Sequence, residues 1–259
     1  MVRRSVLFSP GNRPEMMRKA PGTGADVCIF DLEDAVPPSG KAAARDAVAE
    51  VLTDPEFDPT AEICVRVNPA GVAADDDLRV LAPALMAGTI DSVMLPKVNA
   101  PEEVRTLRRL MEEHGSRVPV IALVETASGI LAAPDIAAAS GTDALAFGAE
   151  DLSADIGATR TESGTEVLYA REHTVLSARA AGVDVIDTLF TDIGDLDGLS
   201  ADAAFAAQLG FDGKIAVHPA QVPPINEAFT PDDEAIEWAQ RVLEARDEAE
   251  TAGRGVFRV

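Results

Sequence analysis

The chain has only two cysteines in 259 residues, Cys28 and Cys64, both inside strand-like apolar runs. Two such residues make no disulfide scaffold, and buried thiols are the expected state. No run of 18 or more apolar residues occurs, which excludes a membrane-spanning helix. The first residues, Met1-Val-Arg-Arg-Ser-Val-Leu-Phe-Ser-Pro10, begin with basic charge, but their apolar part covers only Val6 to Phe8. That is too short for a secretory signal, so a cytoplasmic location is expected. Basic charge is scarce too: 22 Lys and Arg stand against 44 Asp and Glu, a formal charge of −22. Nucleic acid is therefore excluded as a partner, since phosphate needs a basic surface. The lysines are Lys19, Lys41, Lys97 and Lys214 alone. Acid excess with few lysines suits a halophilic surface, where salt screens the self-repulsion. Also missing are the GxxxxGK[ST] and GxGxxG patterns, so neither a P-loop nor a dinucleotide site is supported. No Ser/His/Asp or Cys/His nucleophile set is legible around His114, His173 and His218.

What is present is alternation. Apolar runs recur at even spacing: Ser5–Pro10, Asp26–Asp34, Glu62–Asn68, Ser92–Val98, Val118–Thr126, Ala144–Asp151, Val183–Phe190 and Phe211–Pro219. Helical stretches separate them, among them Lys41–Leu52, Pro101–His114, Gly129–Ala139, Glu166–Ala181 and Ala201–Leu209. Eight strand–helix units predict an α/β fold, a (β/α)₈ TIM barrel. An open doubly wound sheet is the alternative. Closure is favoured because polar residues end nearly every run: Asp31, Glu33, Asp34, Arg66, Asn68, Lys97, Glu125, Glu150, Asp151, Asp187 and His218. Such a ring suits one mouth with convergent polar groups. One domain, 1–259, is expected, with the barrel over 1–230. Over 231–259 we expect a C-terminal helix, packed outside the barrel, with Ile236, Ala239, Val242, Leu243 and Arg246 at helical spacing.

Glu125 and Asp151 are the candidate metal ligands. Acids ending neighbouring strands can share one hard cation. Mg²⁺ fits better than Zn²⁺ because no His or Cys cluster supplies softer ligands, and Mn²⁺ is the other hard candidate. The competing role is helix capping, which Asp151 could perform for the segment after it. Glu33 and Asp34 would repel unless a cation or donor network held them; they could hold water beside the metal, or pair with Lys41 or Arg45. Arg66, flanked by valines, could grip a carboxylate or stabilise a developing oxyanion, or simply pair with Glu33. Gly148 leaves room for backbone N–H groups, with Ala149, to approach an anionic ligand. Arg13 and Lys19, after the first strand, suit phosphate, or are plain surface cations. Together these residues predict a metal-dependent enzyme acting on a small oxyacid.

The segments Leu7-Phe-Ser-Pro-Gly-Asn-Arg-Pro-Glu-Met16, Ile29-Phe-Asp-Leu-Glu-Asp-Ala-Val36, Val65-Arg-Val-Asn68, Met94-Leu-Pro-Lys97, Val124-Glu-Thr126, Phe147-Gly-Ala-Glu-Asp-Leu-Ser153 and His218-Pro-Ala-Gln221 resemble the citrate lyase β-subunit family. This is the CitE-like branch of the HpcH/HpaI aldolase superfamily, and the resemblance runs the length of the chain. It implies a TIM barrel, in trimers or hexamers, that binds Mg²⁺ and a coenzyme A thioester. Glu125 and Asp151 then match the metal ligands. Arg66 matches the residue on the oxyacid, and Glu33 and Asp34 match the acidic pair near the metal water. The loop of Arg13 and Lys19 matches the neighbourhood of the CoA phosphates. The implied reaction is reversible cleavage of a 3-hydroxyacyl-CoA, such as malyl-CoA, a methylmalyl-CoA isomer or citryl-CoA, to an acyl-CoA and a 2-oxo acid. A malyl-CoA thioesterase or synthase, a non-catalytic CoA-ester binding subunit and a CoA-independent pyruvate aldolase are the alternatives. Family members continue past a segment like Gly255-Val-Phe257 into a lid whose Asp acts as base in the neighbouring subunit. The sequence given stops at Val259, so no base is assigned.

Overall fold

Apolar runs with polar exits become eight short strands, β1 (Ser5–Pro10), β2 (Val27–Asp31), β3 (Glu62–Arg66), β4 (Ser92–Leu95), β5 (Val120–Val124), β6 (Thr142–Phe147), β7 (Asp184–Asp187) and β8 (Gly213–Ala216). In the computed structural model, which describes residues 2–258, they pair in parallel and in sequence order, and β8 returns to β1 to close the barrel. The helices are α1 (Pro14–Lys19), α2 (Lys41–Thr53), α3 (Ala74–Ala87), α4 (Pro101–Glu113), α5 (Ala127–Leu131), α6 (Ala133–Ala137), α7 (Ala149–Asp155), α8 (Leu168–Ala181), α9 (Leu196–Leu209), α10 (Val222–Ala228) and α11 (Asp233–Thr251). None is long and apolar enough to cross a membrane. α4 shows why such segments become helices. Pro101 opens it, the Glu103 side chain accepts the Asn99 and Ala100 amides at its start, and Val104, Leu107 and Met111 bury one stripe.

The strands separate two apolar layers. Val6, Val27, Ile29, Cys64, Met94, Ile121, Leu123, Ala144, Ala146, Ile186 and Ile215 fill the barrel interior. The alternate residues, such as Cys28, Phe30, Val65 and Leu145, pack outward under the helices. Cys28 and Cys64 are buried and unpaired, as expected, and burial pushes both thiols up to about 12. At the N-terminal end of the barrel Arg3 forms a plug, 2.7 Å from Glu62 and Asp143 and 3.1 Å from Asp184. Gly213 allows this: a Cβ there would lie 1.9 Å from the Arg3 carbonyl oxygen.

Three expectations change. The sixth run is not one strand to Asp151; β6 stops at Phe147, and Asp151 belongs to the first turn of α7. Asp187 does not face the mouth. It follows inward-facing Ile186, so it points outward beneath α8 and α9. There it accepts both Arg171 (3.0 and 2.7 Å) and Lys214 (2.7 Å), and Lys214 also meets Asp202 at 2.6 Å. Finally, α11 leaves three large apolar side chains in solvent, with Ile236 44%, Trp238 56% and Leu243 50% exposed, while Val242 is half-buried and Ala249 buried.

Candidate active site

The strand exits meet around one cavity of about 310 Å³, whose walls include Phe8, Asp31, Arg66, Glu125, Asp151 and Thr188. Its position at the C-terminal ends of the strands is the usual barrel-enzyme location. Glu125 follows β5 directly and faces inward, two residues after interior Leu123. It is 3% exposed. Its Oε1 accepts the Lys97 amide at 2.9 Å. Burial, then the charge of Asp151 and a hydrogen bond between the two carboxyl groups, push its pKa up to about 8. Both carboxyl groups line the cavity, and two oxygen donors side by side are the kind of set a hard divalent cation takes. Gly148 is shaped for this arrangement: an added Cβ would sit 2.7 Å from both Cβ and Oε2 of Glu125.

Across the cavity Arg66 ends β3, next to Asp31 in register. Its guanidinium forks onto Asp31, Nε to Oδ1 at 2.7 Å and Nη2 to Oδ2 at 2.6 Å, and Nη1 lies 3.1 Å from Glu33. It lies over the Phe8 ring, 4.8 Å from the centroid. Burial opposes the charge, but the bonds to Asp31 and the nearby carboxylates outweigh it and raise the pKa further. Asp31 is itself fixed, because its oxygens also accept the Glu33 and Ala35 amides. The expected alternative pairing, Arg66 with Glu33, is present but secondary to Asp31.

Glu33 and Asp34 are held by donors. Lys97 Nζ donates to Glu33 Oε1 at 2.7 Å and to Asp34 at 3.2 Å. Burial chiefly raises the Glu33 pKa. For Asp34 burial pulls upward as well, yet hydrogen bonding with Glu33 and the Lys97 ammonium prevail and hold it below the usual range. The proposed pairing of this acid pair to Lys41 or Arg45 does not form. Lys41 donates to the Leu32 and Glu33 carbonyls, and Arg45 binds Asp77.

Several expected participants are engaged elsewhere. The Gly148 amide donates to the Val124 carbonyl (3.2 Å) and the Ala149 amide to Thr188 Oγ1 (3.0 Å). Neither N–H is therefore available for an anion, although both residues line the cavity. Asn68 is tied to Asp77 and the Leu32 carbonyl. His218 accepts the Ala220 amide at 3.1 Å and caps a short turn. Arg13, just before α1, and Lys19, at its end, are exposed and lie outside the cavity wall. The sequence gives Phe8, Asp31, Lys97 and Thr188 no role in the site. Of these, only Asp31 and Lys97 gave a signal, as polar residues ending apolar runs.

The closed parallel barrel with acids and an arginine at the C-terminal rim has the layout of a barrel enzyme, and residues 4–219 match the family HpcH/HpaI aldolase/citrate lyase. The chain belongs to this family. Among its relatives, the mitochondrial citramalyl-CoA lyase of Mus musculus is 37% identical, over 98% of this chain and 79% of the mouse protein. The (3S)-malyl-CoA thioesterase of Cereibacter sphaeroides is 35% identical, over 98% of this chain and 86% of its own. The crystal structure of protein CitE from Mycobacterium tuberculosis in complex with magnesium, acetoacetate and coenzyme A superposes with a TM-score of 0.78. It is 38% identical and covers 100% of this chain and 91% of its own.

Proposed function

We propose that the protein is a Mg²⁺-dependent lyase that splits a 3-hydroxyacyl-CoA into an acyl-CoA and a 2-oxo acid. The observation that carries this reading is the convergence of Glu125 and Asp151 in one cavity opposite Arg66. The donor set fits a hard divalent ion. Two adjacent carboxyl groups, one with its pKa driven up to about 8 by burial and its neighbour, supply the oxygen ligands such an ion takes. Among the described residues no cluster of three or more His, Cys, Asp or Glu side chains offers a full protein cage. That suits Mg²⁺, which keeps water or substrate oxygens in its shell. When bound, the ion would supply Lewis-acid polarisation of the oxo-acid oxygens.

This chain's own residues do the rest. Glu125 and Asp151 would hold the ion at the end of the cavity where the hydroxy-acid end of the substrate would lie. As the hydroxyl proton passes to a base, the carbon–carbon bond breaks and the hydroxyl carbon becomes the carbonyl of the 2-oxo acid; the electron pair of the broken bond stays on the acyl-CoA fragment as a thioester enolate, which takes up a proton to give the acyl-CoA. Arg66, aimed by the Asp31 fork, stabilises the oxygen charge that develops. The apolar walls, Phe8, Leu123, Leu189 and Ile215, exclude water from the enolate. Coenzyme A is the thioester carrier in this reading, as in the named relatives. Hydrolysis of a malyl-CoA-type ester is the second reading, favoured by the thioesterase relative.

The test is a panel of malyl-, citramalyl-, methylmalyl- and citryl-CoA thioesters incubated with MgCl₂, with products identified by mass spectrometry. A 2-oxo acid with an acyl-CoA supports the lyase. Free CoA with the intact hydroxy acid supports hydrolysis. Turnover of CoA-free hydroxy-oxo acids without any thioester cleavage would overturn both.

A further inference from the structure

Among the described residues Lys97 is the sole non-glycine with a left-handed backbone, at φ 53. A side chain disfavours this conformation, and it persists only where surrounding structure imposes it. Here the imposition is visible. The Lys97 amide is pinned to Glu125 Oε1 at 2.9 Å. Its carbonyl accepts Asn99 Nδ2 at 2.7 Å, and Asn99 Oδ1 in turn accepts the Thr126 hydroxyl at 2.5 Å. Thr126 follows Glu125, so a closed circuit joins the exits of β4 and β5. With the amide fixed, rotation about N–Cα decides where the side chain leaves. At this φ the ammonium reaches Glu33 (2.7 Å) and Asp34 (3.2 Å). The other Glu33 oxygen lies 3.1 Å from Arg66 Nη1. One strained residue thus touches both halves of the site.

We propose that Lys97 is a positioning residue that couples the two halves: its left-handed backbone sets the Glu125 carboxylate for the cation, and its ammonium holds Glu33 against Arg66. The proposal rests on the reading that Glu125 and Asp151 bind a divalent ion. It goes beyond that reading by assigning two separable tasks to a residue that touches neither ion nor substrate. The backbone task needs only an amide and a left-handed φ, so glycine can perform it and a β-branched residue cannot. The side-chain task needs only a positive charge of similar reach.

The experiment titrates MgCl₂ alone into the metal-free protein by calorimetry, with melting temperature and steady-state kinetics on the best thioester alongside. Lys97→Gly is expected to bind Mg²⁺ as the wild type does, and Lys97→Val to bind it about tenfold more weakly or worse. Asn99→Ala, which frees the Lys97 carbonyl without altering residue 97, should weaken Mg²⁺ in the same direction; it keeps the test decisive if Lys97→Val fails to fold. Lys97→Met should keep the Mg²⁺ affinity and lose kcat by about tenfold or more, with Lys97→Arg recovering most of it. A purely structural lysine would lower the melting temperature and leave this split absent. Wild-type Mg²⁺ affinity in both Lys97→Val and Asn99→Ala overturns the backbone task, and wild-type kcat in Lys97→Met overturns the ammonium task. Absence of Mg²⁺ binding by the wild type is a different failure: it overturns the metal reading, and the inference falls with it.

Discussion

Cation binding should expel a proton, and the structure sets its size. In the metal-free protein burial and the charge of Asp151 hold the Glu125 pKa at about 8. Below that pH Glu125 carries a proton that Mg²⁺ must displace, so affinity should rise about tenfold per pH unit, or about 1.4 kcal/mol. Between pH 6 and pH 8 the gain is about fiftyfold, and above pH 8 the curve should flatten as ionisation of the carboxylate becomes complete. Calorimetry in pairs of buffers with different ionisation enthalpies counts the protons. About one should leave per ion at pH 6 and about half of one at pH 8. The same shift has a sign for stability without metal. A carboxyl with a raised folded pKa contributes stability that is complete below its unfolded value and is lost as pH climbs through the folded value. Metal-free protein should therefore weaken, by on the order of 5 kcal/mol at most, as pH climbs from about 4.5 to about 8, and Glu125→Gln should remove that slope. An Mg²⁺ affinity that stays level from pH 6 to pH 8, with no proton released, would refute the reasoning.

Other outcomes follow from single contacts. Gly148→Ala places a Cβ 2.7 Å from Glu125 Cβ and Oε2, so Mg²⁺ affinity should drop by about tenfold or more while the circular dichroism spectrum is unchanged. Asp31→Asn removes the charged half of the fork that aims Arg66; kcat should fall by about tenfold to a hundredfold with less effect on KM, read by steady-state kinetics. Arg66→Ala should cost about 3 kcal/mol of transition-state stabilisation, and near-wild-type turnover would remove Arg66 from the mechanism. Lys214→Met leaves Asp187 and Asp202 short of a cation in a buried layer away from the cavity. It should destabilise the fold by about 3 kcal/mol in urea unfolding and leave KM unchanged.

The barrel was legible because eight apolar runs separated by helical stretches leave few topologies, and parallel strands return through helices. Glu125 and Arg66 were legible because a charged residue ending an apolar run has few places to go but the rim. The end of β6 was not. Phe147-Gly-Ala-Glu-Asp151 reads as continued strand, yet the chain turns at Gly148 and α7 begins, with the Ala149 amide held by Thr188, the residue after β7. That hydrogen bond spans 39 residues of sequence, and no local pattern announces it.

Residue order alone determined the architecture, the rim acids and the family of this protein. Tertiary structure decided which side of each strand a residue faces. Strands buried on both faces carry no period-2 alternation of polarity, so Asp31, which aims Arg66, and Asp187, which lies beneath the helices, look alike in sequence. Barrel closure fixes the phase of each strand, and with it which carboxylates share the cavity and which are locked into the protein's own charge network.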